Sequence, residues 1–367
     1  MKKMLLVIFL FIGCYSSYAQ SDTVLYSFFA AGHTYGNPNS PHYGLHYPFV
    51  DFIPEINSYP KMVMGFLTGD VVVKNTADYW DSAQITLDKL NMPIYIAAGN
   101  HDVGAEFHKR YGDYYYSFIY NEDLFIVLTP SVDKWNISGD QLAFLENTLD
   151  SNHAVVNNIF IFLHELIWWS PTNKYQHVEI NYRPHYPGST NYDTVVKPLL
   201  LSYSNNITVY AGDLGCTNSV SPFMYDHFDN ITLIGSGMGG GVRDNIIITN
   251  VYKDSVYYNL VAINGTDQKA LGEIYDFSLG EVNDDNMPDE SINIYPNPSG
   301  LGYFTLKNDY QDNFNMNLYD SQGKLLGSKE IQKSSEIKIE TANLKAGIYL
   351  LKFNNDKKCI TKKIIIK

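Results

Sequence analysis

The stretch "IYIAAGNHDVG", Ile94 to Gly104, decides how the rest of the chain reads. Ile94 to Ala98 are all apolar, and a run this short that closes on a glycine reads as a buried strand. Directly after Gly99 come an amide, an imidazole and a carboxylate, on Asn100, His101 and Asp102. Other runs share the form: "YSFFAAGH", "MVMGFLTGD", "LFIVLTP", "IFIFLHE" and "ITVYAGD", each apolar and each polar or glycine at its carboxyl end. Helical stretches fall between several of them, at Asp78 to Leu90, Ser138 to Leu149 and Asp193 to Tyr203. Ser138 followed by Gln141 predicts a capping box. Alternation of strands and helices predicts an α/β core with helices covering the sheet. The later runs "ITLIGSGM", "NIIITNVY" and "SVYYNLVAI" have turns but no helices between them, and they predict a second, largely antiparallel sheet beside the first.

Sites in open α/β sheets collect beyond the carboxyl ends of the strands. Those ends deliver His33, Asp70, then Asn100 with His101 and Asp102, then His164 and Asp213. Singly, a Gly-Asp or Gly-Asn there is often only a turn, and a lone histidine is often structural. Five strand ends that all deliver hard or borderline donors point instead to a metal centre. It has to be built from His, Asp, Glu and Asn, because the chain holds no Cys-x-x-Cys pair.

Composition places that chemistry in the larger part of the 367-residue chain. Gln20 to Glu290 carries 12 Lys and Arg against 32 Asp and Glu, a net of −20, whereas Ser291 to Lys367 carries 12 against 7, a net of +5. All ten histidines precede Ser291. So acidic a unit repels phosphate backbones, so no nucleic-acid partner is expected. The opening "MKKMLLVIFLFIGCYSSYAQ" has two lysines, an apolar run of about ten residues and then Ser-Tyr-Ala, which reads as an export signal over residues 1–19. An N-terminal anchor and a lipid attached at Cys14 are the competing readings, and no stable membrane span is expected in the mature chain. "GEVNDDNMPDES" has little to bury and marks a linker at 279–290. Beyond it, 291–367 reads as a small all-β sandwich.

The strand-end motifs resemble the calcineurin-like metallophosphoesterases, whose elements are Asp-x-His, Gly-Asp, Gly-Asn-His-Asp or Glu, a His, and Gly-His-x-His. "TGD" at Thr68 to Asp70 and "GNHD" at Gly99 to Asp102 match in full, and "FLHE" supplies His164. The first element reads "AAGHTYG" and the last "AGDLGC", so Ala31 replaces an aspartate while Asp213 and Gly215 replace two histidines. The resemblance implies a four-layer α-β-β-α sandwich over residues 20–278 with one or two divalent ions (Mn, Fe, Zn or Mg). It implies a small phosphoester substrate hydrolysed by metal-activated water. One ion would take Asp70, Asn100, His164 and Asp213, with the His33 side weak or empty. His101 would donate the proton and Asp102 would orient it. Loop residues Asn37, His42, His46, His177 and His185 are candidates for refilling the depleted side. The rival reading is a catalytically inactive binding protein of the same fold, displayed at the cell surface.

"YPNPSG" and the later "LKAGIYLLKF" resemble the type A C-terminal sorting domain of the type IX secretion system. That implies passage through the type IX machinery and a secreted or cell-surface product. A carbohydrate-binding sandwich is the alternative, and the tail has no tryptophan on which a sugar could stack.

Overall fold

The structure, a computed structural model, describes residues 23–181, 190–264, 292–295, 299, 302–320, 325–341, 343–345, 347–355 and 359–366. The expected export signal, the linker and His185 lie outside the described residues. The chain divides into two compact units, Met1–Ile274 and Tyr275–Lys367.

The first unit opens with β1 (Tyr26–Ala31), α1 (Tyr47–Ser58), β2 (Met62–Thr68), α2 (Ala77–Leu87), β3 (Ile94–Ala97) and α3 (Ala105–Tyr111). It continues through β4 (Tyr116–Tyr120), β5 (Asp123–Val127), α4 (Gly139–Asn152), β6 (Asn158–Leu163), α5 (Lys197–Leu201) and β7 (Asn206–Ala211). The strands β8 (Phe223–Phe228), β9 (Ile231–Ser236), β10 (Asn245–Val251) and β11 (Val256–Ala262) complete it. Two sheets form, ordered β11-β10-β1-β2-β3 and β4-β5-β6-β7-β9-β8. β1, β2 and β3 run parallel, as do β5, β6, β7 and β9, so the carboxyl ends within each group share one rim.

Alternation along the strands makes the layers. In β1, Phe28 packs edge-on against Phe160 of β6 at 5.0 Å, between the sheets, whereas its neighbour Phe29 packs with Phe49 and Ile53 of α1 on the outer face. Phe66 of β2 stacks on Phe162 of β6 at 3.6 Å between ring centroids, and Phe162 stacks on Tyr210 of β7 at 4.9 Å. Each aromatic pair adds about 0.5–1.5 kcal/mol beyond simple burial. The ring stack therefore holds the two strand-end rims side by side.

Several expectations change. The three late runs do not make one antiparallel sheet. β9 lies parallel to β7 in the second sheet, while β10 extends the first sheet antiparallel to β1 and β11 pairs antiparallel with β10 at its edge. Each run joins whichever sheet edge can bury it, and a local pattern does not name that edge. The capping box is also absent: Ser138 bonds Asp133, and Gln141 turns inward, accepting from the Thr129 amide at 2.6 Å and donating to its carbonyl at 3.2 Å. The helix expected from Asp193 is a π turn at Tyr192–Val196 followed by α5.

In the second unit, β12 (Ile292–Tyr295), β13 (Tyr303–Asn308), β14 (Phe314–Asp320), β15 (Leu325–Ile331), β16 (Ser335–Glu340), β17 (Gly347–Asn354) and β18 (Cys359–Ile366) follow in order. They form a three-stranded sheet, β12-β13-β16, and a four-stranded sheet, β15-β14-β17-β18. Phe304, Leu306, Phe314, Met316, Leu351, Phe353 and Ile364 fill the core of this all-β unit.

Candidate metal centre

The chain after each central strand is forced into close quarters, and glycine makes that approach feasible. A methyl group on Gly212, just after β7, would lie 1.8 Å from the Thr68 carbonyl oxygen of β2. One on Gly99, after β3, would lie 2.3 Å from the Asp70 carboxylate. Neither position tolerates a side chain, which is the physical content of the "AGD" and "GNHD" spellings. Across the gap, the His164 ring donates Nδ1–H to Thr68 O at 2.9 Å, and the amides of Gly212 and Asp213 donate to His164 O at 2.8 and 3.0 Å.

His33, Asp70, His164 and Asp213 meet at this seam, all fully or almost fully buried. Asp70 presents one oxygen to each imidazole, with Oδ2 3.4 Å from His33 Nε2 and Oδ1 3.3 Å from His164 Nε2. Asp213 Oδ1 lies 3.8 Å from His164 Nε2. Donor atoms of His33, Asp70 and Asp213 all fall within 4.8 Å of one another. His33 and Asp70 also hold left-handed backbone, with φ of 55° and 52°. For residues other than glycine that costs of order 1–3 kcal/mol and is typical of functional positions.

The grouping differs from the expected one. His33 is not left aside: it shares Asp70 and Asp213, while His164 takes the other oxygen of Asp70. Asn100 is exposed at the rim, and its amide has no hydrogen-bond partner among the described residues. Asp102 does not orient His101. Its carboxylate accepts from the amides of Gly99 at 2.9 Å, Val71 at 3.0 Å and Val72 at 3.1 Å, tying the turn after β3 to the turn after β2. His101 is held by Val73 O, 2.7 Å from its Nδ1, and its backbone amide donates to Asp70 Oδ1 at 3.2 Å.

Electrostatics at the seam are set by burial and mutual charge. Burial pushes Asp70 upward, but His164 and His33 more than reverse this and hold it well below the usual carboxylate range. Burial pulls His164 down, but Asp70 and Asp213 raise it well above its ordinary value. Burial, partly offset by Asp70, takes His33 down to about 4, and burial takes Asp213 up to about 7 against the pull of His164.

The donor set fits a divalent cation. Donors sharing an ion at about 2.1 Å lie about 3.0–3.5 Å apart, and the separations around Asp70 are of that size. His164 Nε2 is buried without a hydrogen-bond partner, and its Nδ1–H is fixed by a carbonyl, which leaves Nε2 facing the Asp70 and Asp213 carboxylates beside that group.

Two neighbours escaped the sequence reading. Tyr35, two residues beyond His33, is buried between the His33 and His101 rings, at 4.5 and 5.2 Å between centroids. Asn181, in the loop after β6, donates from Nδ2 to Asp213 Oδ1 at 2.8 Å. The aromatic spelling "GHTYG" hints at the first, and no local pattern marks the second. The loop histidines are engaged elsewhere: His46 pairs with Asp244 at 2.7 Å, and His42 lies on the Tyr43 carbonyl at 3.0 Å. His177 is exposed.

Among solved structures the chain is similar to a purple acid phosphatase from seeds of yellow lupin (Lupinus luteus), at 14% identity over 66% of this chain and 52% of that one, with a TM-score of 0.48. It is also similar to a candidate 5'-nucleotidase from Staphylococcus aureus, at 13% identity over 66% and 55%, with a TM-score of 0.34. The chain thus spans about half the length of these structures. A comparison with curated proteins finds no match. The family model for the secretion system C-terminal sorting domain matches residues 293–367, and this domain directs the chain through the type IX system to the cell surface or the extracellular space. No helix among the described residues is long and apolar enough to cross a membrane. The family model for calcineurin-like phosphoesterase matches residues 21–217, more than half of the chain and every strand end that feeds the seam, and the chain belongs to that family.

Proposed function

We propose that the chain is an exported hydrolase that cleaves a phosphoester of a small substrate at this seam, with one divalent cation held by His33, Asp70 and Asp213 and flanked by His164. The observation that carries this reading is the gathering of two carboxylates and two imidazoles, all buried, at separations of 3.3–3.8 Å. Burying such groups costs several kcal/mol each unless a compensating charge is present. A bound cation supplies that charge, draws electron density from phosphoryl oxygens and lowers the pKa of water toward neutrality. The chain's own residues do the rest. Asp70 spans the two imidazoles, and Asp102 holds the Asp70 turn against the "GNHD" turn. Asn100 offers a neutral oxygen at the rim. His101, anchored through Nδ1, has Nε2 available to exchange a proton with the leaving oxygen.

A catalytically inactive binding protein is the second reading. It is favoured by Ala31 and Gly215, which put a methyl group and a hydrogen where the family has two ligands. Metal content of the purified chain, followed by a panel of phosphomonoesters, diesters, nucleotides, phospholipids and phosphosugars with Mn, Fe, Zn and Mg, separates the two. The expected result is about one ion per chain, by the count of donor groups, and turnover of at least one class. Metal-loaded protein inert across the whole panel would reject the hydrolase and favour the binding protein.

For export, the proposed order is a signal at 1–19, the phosphoesterase domain at 20–278, a linker at 279–290 and the sorting domain at 291–367. Surface or secreted material should begin at Gln20 and lack its tail from near the linker. An intact mass that retains Met1, or the complete tail, would contradict this.

A further inference from the structure

We infer that Asn181 is the ligand that refills the His33 side of the centre, its side-chain carbonyl oxygen doing the work that an aspartate at position 31 does elsewhere in the family. This rests on the reading that the seam holds a divalent cation. Asn181 Nδ2 lies 2.8 Å from Asp213 Oδ1 and 3.5 Å from His33 Nε2. Those are residues of the group whose donor atoms fall within 4.8 Å of one another. An N–H donor wedged between a carboxylate and an imidazole nitrogen occupies the electrostatic position of a cation. The two ends of an asparagine amide exchange by a half turn of the terminal torsion. Turned one way, the amide satisfies Asp213 in the metal-free protein. Turned the other way, it offers an oxygen to an ion shared with His33, Asp70 and Asp213.

Other groups near the seam are worse suited. The Ala31 methyl cannot coordinate, Gly215 has no side chain, and His46 is committed to Asp244. The completed set of one imidazole nitrogen, two carboxylates and one amide oxygen is oxygen-rich. It suits harder ions such as Mn and Mg better than Zn.

Asn181 could instead act only by steadying Asp213, and one substitution tells the two roles apart. Mn(II) affinity is measured on the full chain by equilibrium dialysis, with free Mn(II) read by its paramagnetic resonance signal, for wild type, Asn181→Ala and Asn181→Asp. Asn181 is exposed, and a cooperative metal-free melt of each variant, whatever its midpoint, excludes misfolding. As a ligand, Asn181→Ala weakens binding by more than about 10-fold, while Asn181→Asp, with a carboxylate oxygen at the same reach, binds as tightly as wild type or more tightly. A residue that only donates to Asp213 gives the opposite order, because a second carboxylate repels Asp213, and Asn181→Asp is then the weakest binder. That order, or an Asn181→Ala chain that binds like wild type, overturns the inference while leaving the metal centre in place. A wild-type chain that takes up no Mn(II), Fe(II), Zn(II) or Mg(II) rejects the metal centre and the inference with it.

Discussion

Asp70→Asn is expected to remove bound metal and phosphoester hydrolysis together, both to background. The substitution keeps the shape of the side chain and one oxygen to accept from the His101 amide, which lies 3.2 Å from Oδ1. It replaces the other oxygen with an N–H donor and deletes the charge. Among the described residues Asp70 is the one whose two oxygens each face a different imidazole, at 3.4 and 3.3 Å, so its loss disconnects both sides of the centre at once. Partners that act only behind a ligand typically cost about 10–100-fold in affinity or activity, and the ligand shared by both sides should exceed that range. Elemental analysis after dialysis, beside an assay on the best substrate, reads both effects. Full metal content in Asp70→Asn would remove this residue from the centre.

His101→Ala should behave in the opposite way toward metal. Its ring is anchored on Val73 O, away from the atoms that gather around Asp70, so bound metal should be unchanged. Turnover should fall by about 10²-fold or more, the usual scale for a lost general acid. The role predicts a dependence on leaving group that a packing defect would not produce. An alkyl phosphoester, whose alkoxide needs a proton to depart, should suffer the full loss. A p-nitrophenyl ester, which departs as a stable anion, should suffer much less. Equal losses on both substrates would show that His101 acts by positioning and not by donating a proton.

Asp102 illustrates how a motif can be legible while the task of one of its members is not. "GNHD" announces a turn rich in chemistry, yet the Asp102 carboxylate spends its hydrogen bonds on backbone amides, two of them about 30 residues earlier in the chain. Burial and the nearby Asp70 charge push this carboxyl up to about 7. Its place is behind the site, where it holds two turns together.

The chain's own order of residues settled the strands, their polar carboxyl ends and the division between an acidic, histidine-bearing unit and a basic all-β tail. Those features are local. A short apolar run must be buried, a glycine next to a donor admits close approach, and charge and composition are sums along the chain. Packing decided the rest. The assignment of β9 to one sheet and of β10 and β11 to the other depends on which edge was free. The meeting of Asp213 with His33 as well as His164 depends on how closely two separate sheets approach at their rims. The arrival of Asn181 at Asp213, from 32 positions away, depends on a loop crossing that rim. Distances between groups far apart in sequence are set by the stacked rings between the sheets, and no pattern within a short window of residues encodes them.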